Sequence, residues 1–274
     1  MTERSFANAF ARLPADLPSG HLASAASCYS SDEHSDLPVF WCSDEPLKDA
    51  ADWWRRLEAQ RTETGLFPVL LAFYEDVWHP GEGPLDDSAF DVTDYFREEW
   101  ERYLREKAEW DAAPPVEVPE DVMPWPDDPG PPFDVWPGLA AGSTPTCDVG
   151  EHAAAMVAEL AQDGQPLHLA LVPVERSADA LLAISFRKSS NHVDLWELWA
   201  VIRSWEGRFG TRLIAVDGGT VHVSVAAPPR PEEANRLALE HYLLCPDNIE
   251  QDYIVFATYA ERLVSAPRWS FWWD

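Results

Sequence analysis

Arg212 to Ala226, RLIAVDGGTVHVSVA, is the stretch on which the fold turns. Two apolar runs, Arg212 to Asp217 and Thr220 to Ala226, flank Gly218-Gly219, and a glycine pair accepts the positive φ angles of a two-residue hairpin turn. Val221, Val223 and Val225 alternate with Thr220, His222 and Ser224, which predicts one buried face. Before the hairpin, Leu195, Leu198, Trp199, Ile202 and Trp205 fall at helical spacing, with Gly210 as the stop. After it, Pro231 opens a helix that runs to Cys245 and ends at Pro246. A last helix over about 252–265 and an aromatic strand, Trp269 to Trp273, complete the set. Upstream, Glu151 to Gln162 reads as a helix and Leu167 to Val174 as a strand, while Ala178 to Phe186 fits either a short helix or a strand. Together these predict an α+β domain over residues 149–274, a mixed or antiparallel sheet flanked by helices.

The first 112 residues predict a smaller β-α-β-α unit. Leu37 to Cys42 (LPVFWC) and Leu66 to Phe73 (LFPVLLAF) are short buried strands. Between them, Ser43-Asp44-Glu45-Pro46 opens a helix carrying Leu47, Ala50, Ala51, Trp54 and Leu57 at helical spacing, closed by Gly65. Asp94 to Trp110 follows as a helix with Phe96, Trp100 and Tyr103 along one packing face. Residues 113–148 form a Pro-rich acidic linker or strap, with ten prolines between Ala113 and Pro145. Proline at that density removes backbone donors and fixes φ. Trp125, Phe133 and Trp136 favour a packed strap.

Composition bounds the partners. The chain has 274 residues, 46% hydrophobic and 25% charged, with 48 acidic against 20 basic side chains and a net charge of −28. Residues 1–150 hold 31 acidic and 10 basic residues, and residues 151–274 hold 17 and 10. Direct nucleic-acid binding and docking on anionic lipid both need an excess of Lys and Arg, so neither is expected. The charged start, Met1 to Leu17, has no apolar core of the kind a secretory signal carries. The longest apolar run, Leu66 to Tyr74, falls well short of a membrane span. Cys28, Cys42, Cys147 and Cys245 are scattered, which points to reduced thiols and a cytoplasmic location. Few Lys and Ile and abundant Ala match a GC-rich bacterial genome.

The second half carries a string of short motifs in order. They are Asn191-His192, Ser204 to Gly210 (SWEGRFG), Val223 to Pro229 (VSVAAPP), Glu240-His241, Cys245-Pro246-Asp247-Asn248 and Ser270 to Asp274 (SFWWD). Over about residues 173–274 this resembles the bacterial family called domain of unknown function 4253. The Trp53 to Leu71 stretch, with its Gly65-Leu66-Phe67-Pro68 step, resembles the N-terminal part of longer members. The resemblance implies domain limits but no mechanism.

Candidate chemistry concentrates in the same motifs. His241 and Cys245 lie one helical turn apart and are the candidate metal ligands, yet zinc needs two more partners, for which only His192 and His222 are at hand. The same pair would make a Cys–His nucleophile, but a helix C-terminus disfavours a thiolate. Ala234, Leu237 and Ala238 share their face and turn both towards a core. Glu206, His241 and Asp247 are the candidate catalytic residues. Asn191, Trp205, Glu206, Arg208, His241 and Asn248 are the candidate ligand-binding residues. Trp205 and Phe209, four apart, also fit a helix-end anchor, and Asp247-Asn248 a turn or cap. Walker A, G-x-G-x-x-G after a strand, H-E-x-x-H and G-x-S-x-G are absent, and no cofactor is expected. Three functions stay open: a non-enzymatic binding or immunity/regulatory-type protein engaging a basic partner, an enzyme with a pocket around Glu206, His241 and Asp247, and an acidic nucleic-acid mimic.

Overall fold

A computed structural model describes residues 9–24, 36–72, 90–114, 128–164, 166–187, 189, 192–217, 219–252 and 254–274. Trp125 and Asn191, and with them the first part of the strap and one candidate ligand residue, lie outside the described residues.

Among the described residues, seven strands form one open, mixed sheet: β1 (Gly20–Ala23), β2 (Phe40–Ser43), β3 (Phe67–Leu71), β4 (His168–Val172), β5 (Thr211–Asp217), β6 (Thr220–Val225) and β7 (Arg268–Trp272). Their spatial order is β1-β2-β4-β3-β5-β6-β7. β4 runs antiparallel to both β2 and β3, and β3 is parallel to β5. β2 and β3 are therefore the parallel arms of a split β-α-β unit joined by helix α1 (Ala50–Thr64), with β4 between them. The fold is α+β, and strands from both 1–112 and 149–274 share the sheet.

Both faces are covered, which is why β2, β3 and most of β4 are buried at every position rather than at alternate ones. On one face lie α1 and α3 (Val149–Leu160), enclosing Trp54, Leu57, Leu70, Val157, Leu171 and Ile214. The other face carries α2 (Val92–Ala112), the single turn α4 (Ala180–Ala183), α5 (Leu195–Phe209), α6 (Ala234–Leu244) and α8 (Phe256–Leu263), after a further turn, α7 (Asp247–Glu250). That core holds Phe96, Trp100, Trp205, Phe209, Leu213, Val216 and Phe271. A register shift between Leu213 and Ala215 lets Leu213 and Val216 serve the same core although they are three apart.

Two sequence expectations change on contact with this packing. The second face of β6 is buried as well, with Ser224 at 0% and His222 at 8% exposure, because α3 packs behind it. The helix expected from Pro46 begins only at Ala50, since Leu47 gives its N–H to the Leu167 carbonyl beside β4. α5 spans the expected residues and Gly210 closes it at φ 60°, while its start is fixed by a reciprocal capping box of Asp194 and Glu197. Among the described residues, no helix is long and apolar enough to cross a membrane.

Candidate functional site

The helices α5 and α6 face each other across a buried ion pair between Arg208 and Glu240, the second of which is not among the sequence candidates. Trp205 and Arg208 are three apart on α5 and point to the same side. Glu240 answers from α6 and is 0% exposed. Arg208 Nη1 donates to Glu240 Oε1 at 2.8 Å and Nη2 to Oε2 at 2.5 Å, the bidentate fork that fits a carboxylate. Trp205 Nε1 donates to Oε2 at 2.8 Å, and the Ala140 N–H donates to Oε1 at 2.7 Å. Glu240 thus accepts four hydrogen bonds, two on each oxygen, which offset the cost of burying the carboxyl.

The strap is locked to that pair through its backbone. Arg208 Nη1 donates to the Ala140 carbonyl at 2.9 Å, and the Ser143 N–H donates to the Arg208 carbonyl at 2.9 Å. The Ala141 N–H reaches Glu233 Oε2 at 2.8 Å. A Cβ on Gly142 would stand 2.5 Å from the Arg208 carbonyl oxygen, so only glycine lets the chain pass so close. Phe133 and Trp136 also pack on the core, but these polar contacts hold the described part of the strap as well.

His241 sits beside the pair, fully buried in an aromatic box. Its ring centroid is 4.7 Å from Trp205, 4.6 Å from Trp269 and 4.9 Å from Phe271. Nδ1 lies 3.0 Å from the Tyr259 hydroxyl, and Nε2 is buried with no hydrogen-bond partner. Burial, reinforced by the Arg208 charge, holds His241 well below the usual histidine range. Tyr259 continues to Asn248, whose Nδ2 donates to the Ser270 carbonyl at 2.7 Å. The Cys245 thiol donates to the Trp272 carbonyl at 2.9 Å, and burial pushes its pKa up to about 12. A thiol so placed is a poor nucleophile.

The remaining candidates are held elsewhere. Glu206 Oε2 accepts from Ser177 Oγ at 2.8 Å and from the Ala178 N–H at 3.1 Å, with Arg176 and Arg212 at its other oxygen. Asp247 Oδ2 accepts the Asp274 N–H at 3.0 Å and ties down the C-terminal strand. Trp205, Arg208 and His241 therefore come together around Glu240, Asn248 and Cys245 join them through Tyr259, and Glu206 and Asp247 belong to separate hydrogen-bond sets. Among the described residues, no three His, Cys, Asp or Glu side chains gather in a way that could hold a metal ion. Glu240 had one available signal: an acid three residues after Leu237 and four before Leu244 lies on the apolar face of its helix.

Two open clefts lie outside this buried network. The first, about 320 Å³, runs between α2 and α6 and is lined by Glu99, Arg102, Tyr103, Glu106, Tyr242 and Glu250 among others. Glu99 pairs with Arg102, the Tyr242 hydroxyl donates to Glu250 Oε1 at 2.6 Å, and the two tyrosine rings meet edge to face at 5.5 Å. The last turns of α2 beyond it are exposed, including Trp110 at 76%. The second cleft, about 400 Å³, opens between α1 and the start of α3.

The order of motifs around Glu240 and the C-terminal strand agrees with the wider comparison. Residues 168–274 match the family model of the domain of unknown function DUF4253. No curated protein and no solved structure matches the chain. The DUF4253 segment supplies β4 to β7, yet β3, from outside it, stands between β4 and β5. The strap that caps Arg208 and Glu240 also comes from outside the DUF4253 segment.

Proposed function

We propose that this is a cytoplasmic bacterial binding protein of immunity or regulatory type, with no catalysis of its own, whose acidic surface engages a basic protein. The observation that carries this reading is the cleft between α2 and α6, where three glutamates and one arginine surround a pair of tyrosines. A Lys or Arg side chain entering it finds carboxylates for its charge and ring surface for its stem. Glu99 is already paired with Arg102, which leaves Glu106 and Glu250 as the stronger attractants. The net charge of −28 adds long-range attraction for a cationic surface. The catalytic candidates support the same reading from the other side: Glu206, His241 and Asp247 take part in three separate internal hydrogen-bond sets.

The test begins with capture by the full chain at low salt, identification by mass spectrometry, and reconstitution with the purified partner. Glu99→Gln, Glu106→Gln and Glu250→Gln together should weaken binding by about tenfold at low salt, mainly through a slower on-rate. The difference from wild type should shrink at high salt as screening sets in. A partner that is itself acidic, or affinity untouched by both salt and substitution, overturns the proposal.

A further inference from the structure

The second cleft has a different chemistry. Arg55, Glu58 and Arg61 reach into it from α1, Arg212 from β5, and Asp148, Gly150 and Glu151 from the start of α3. Three guanidiniums converge there in a chain with few basic residues. Their pairing is incomplete. Arg61 Nε holds Glu58 Oε1 at 3.3 Å, while Glu58 Oε2 has no hydrogen-bond partner although the side chain is only 9% exposed. Arg212 Nη1 bonds the Thr211 carbonyl at 3.0 Å and lies 3.4 Å from Glu206, but its Nε is buried and unpartnered. Arg55 is half-exposed and shared loosely between Asp52 at 3.3 Å and Glu151 at 3.9 Å.

The helix end adds donors. Asp148 caps α3 by accepting the Glu151 N–H at 2.9 Å, and the N–H groups of Val149 and Gly150 precede the intrahelical ladder. Gly150 keeps the cleft clear at this point, for a Cβ there would stand 3.2 Å from Glu58 Cγ. Helix N-termini and arginine forks both favour oxyanions. Glu58 imposes a second condition. A fully deprotonated anion meets a carboxylate with like charge, whereas an anion that keeps one O–H can donate it. Burial raises the Glu58 pKa, consistent with a carboxyl that lacks enough donors.

We propose that this cleft binds inorganic phosphate, with Arg55, Arg212 and the start of α3 on its oxygens and Glu58 accepting its P–O–H. The site is distinct from the acidic cleft between α2 and α6, and its success or failure is independent of that reading.

Titrating the full chain with inorganic phosphate, sulfate and glycerol 3-phosphate, followed through the Val149 and Gly150 amides and the Arg212 Nε–H by NMR, tests the assignment. Phosphate should give saturable shifts confined to this cleft, and sulfate, which has no proton to offer at neutral pH, should bind about tenfold more weakly. Gly150→Ala suits a helix and should keep the melting temperature while weakening phosphate by about tenfold. Glu58→Gln should bring sulfate close to phosphate by supplying a donor. Glycerol 3-phosphate, which has largely lost its last phosphate proton at neutral pH, should bind more weakly than the inorganic ion, and tighter binding of the monoester would overturn the role of Glu58. Non-saturating shifts, equal affinity of the wild type for sulfate, or full phosphate affinity in Gly150→Ala would each overturn the proposal.

Discussion

Two arginine–glutamate meetings divide this molecule. Around Glu240, four donors close on one buried carboxylate, and the strap seals the arrangement. Around Glu58, one oxygen is held by Arg61, the other has no partner, and the cleft is open. The residue types are the same, so the charge pair alone tells nothing about role. What separates them is satisfaction. A completed pair fixes α5 against α6 and leaves no capacity for a ligand, whereas an incomplete pair at an open cleft keeps donors and acceptors in reserve.

The sharpest way to break this comparison is to remove a closed partner. Arg208→Ala leaves the buried Glu240 carboxyl without its ion-pair partner, and should cost about 3–5 kcal/mol in urea denaturation. Trp205→Ala should cost a similar about 3–5 kcal/mol, because it deletes a buried ring that stacks on Phe271 at 5.1 Å. Near-wild-type stability in either variant would remove the distinction between architecture and site. Trp205→Phe is gentler: it keeps a smaller aromatic ring and deletes one donor to Glu240, so about 1–3 kcal/mol is expected.

A pH series sharpens the same point at His241. The unfolded imidazole takes up a proton below about pH 6.5, whereas the folded one, held low by burial and by Arg208, does not. The unfolded state then binds more protons, so stability falls as pH drops from about 6.5 towards 5, by up to about 1.4 kcal/mol per unit from this group. His241→Phe removes the titrating ring, and the slope over that window should flatten against wild type. An unchanged slope would mean that His241 titrates normally. The smallest effect belongs to the open pair. Glu58→Gln should shift stability by less than about 1 kcal/mol at pH 7, because Glu58 has one long hydrogen bond to lose, from Arg61 at 3.3 Å, and its second oxygen has none. A loss as large as that of Arg208→Ala would make Glu58 a structural residue like Glu240.

Local signals made much of the fold legible. Alternating valines set β6, and a glycine stop set the end of α5, where Gly210 takes the left-handed conformation. β1 was not legible, because GHLA has three exposed positions at the sheet edge and offers no alternation. Nor was the two-sided burial of β6, which depends on where α3 packs. The candidate site was partly legible. Trp205, Arg208, His241, Cys245 and Asn248 do cluster, but as a packed network. Glu240 was overlooked because a carboxylate in a helix is ordinarily a solvent residue, and only its partner on α5 makes it a core one. The Glu58 cleft was invisible to the motif reading, since it joins residues from α1, α3 and β5 that share no sequence neighbourhood.

The placement of β4 between β2 and β3 has a consequence for synthesis. β2 and β3 are made well before β4, which stands between them in the sheet and begins only at His168. Until it arrives, both present unpaired backbone edges on apolar segments, the arrangement most prone to wrong pairing with another chain. β3 must also wait for β5 on its far side. The nascent protein therefore carries an open slot through much of its translation, and its yield in a cell should depend on how quickly that slot is filled or shielded by a chaperone.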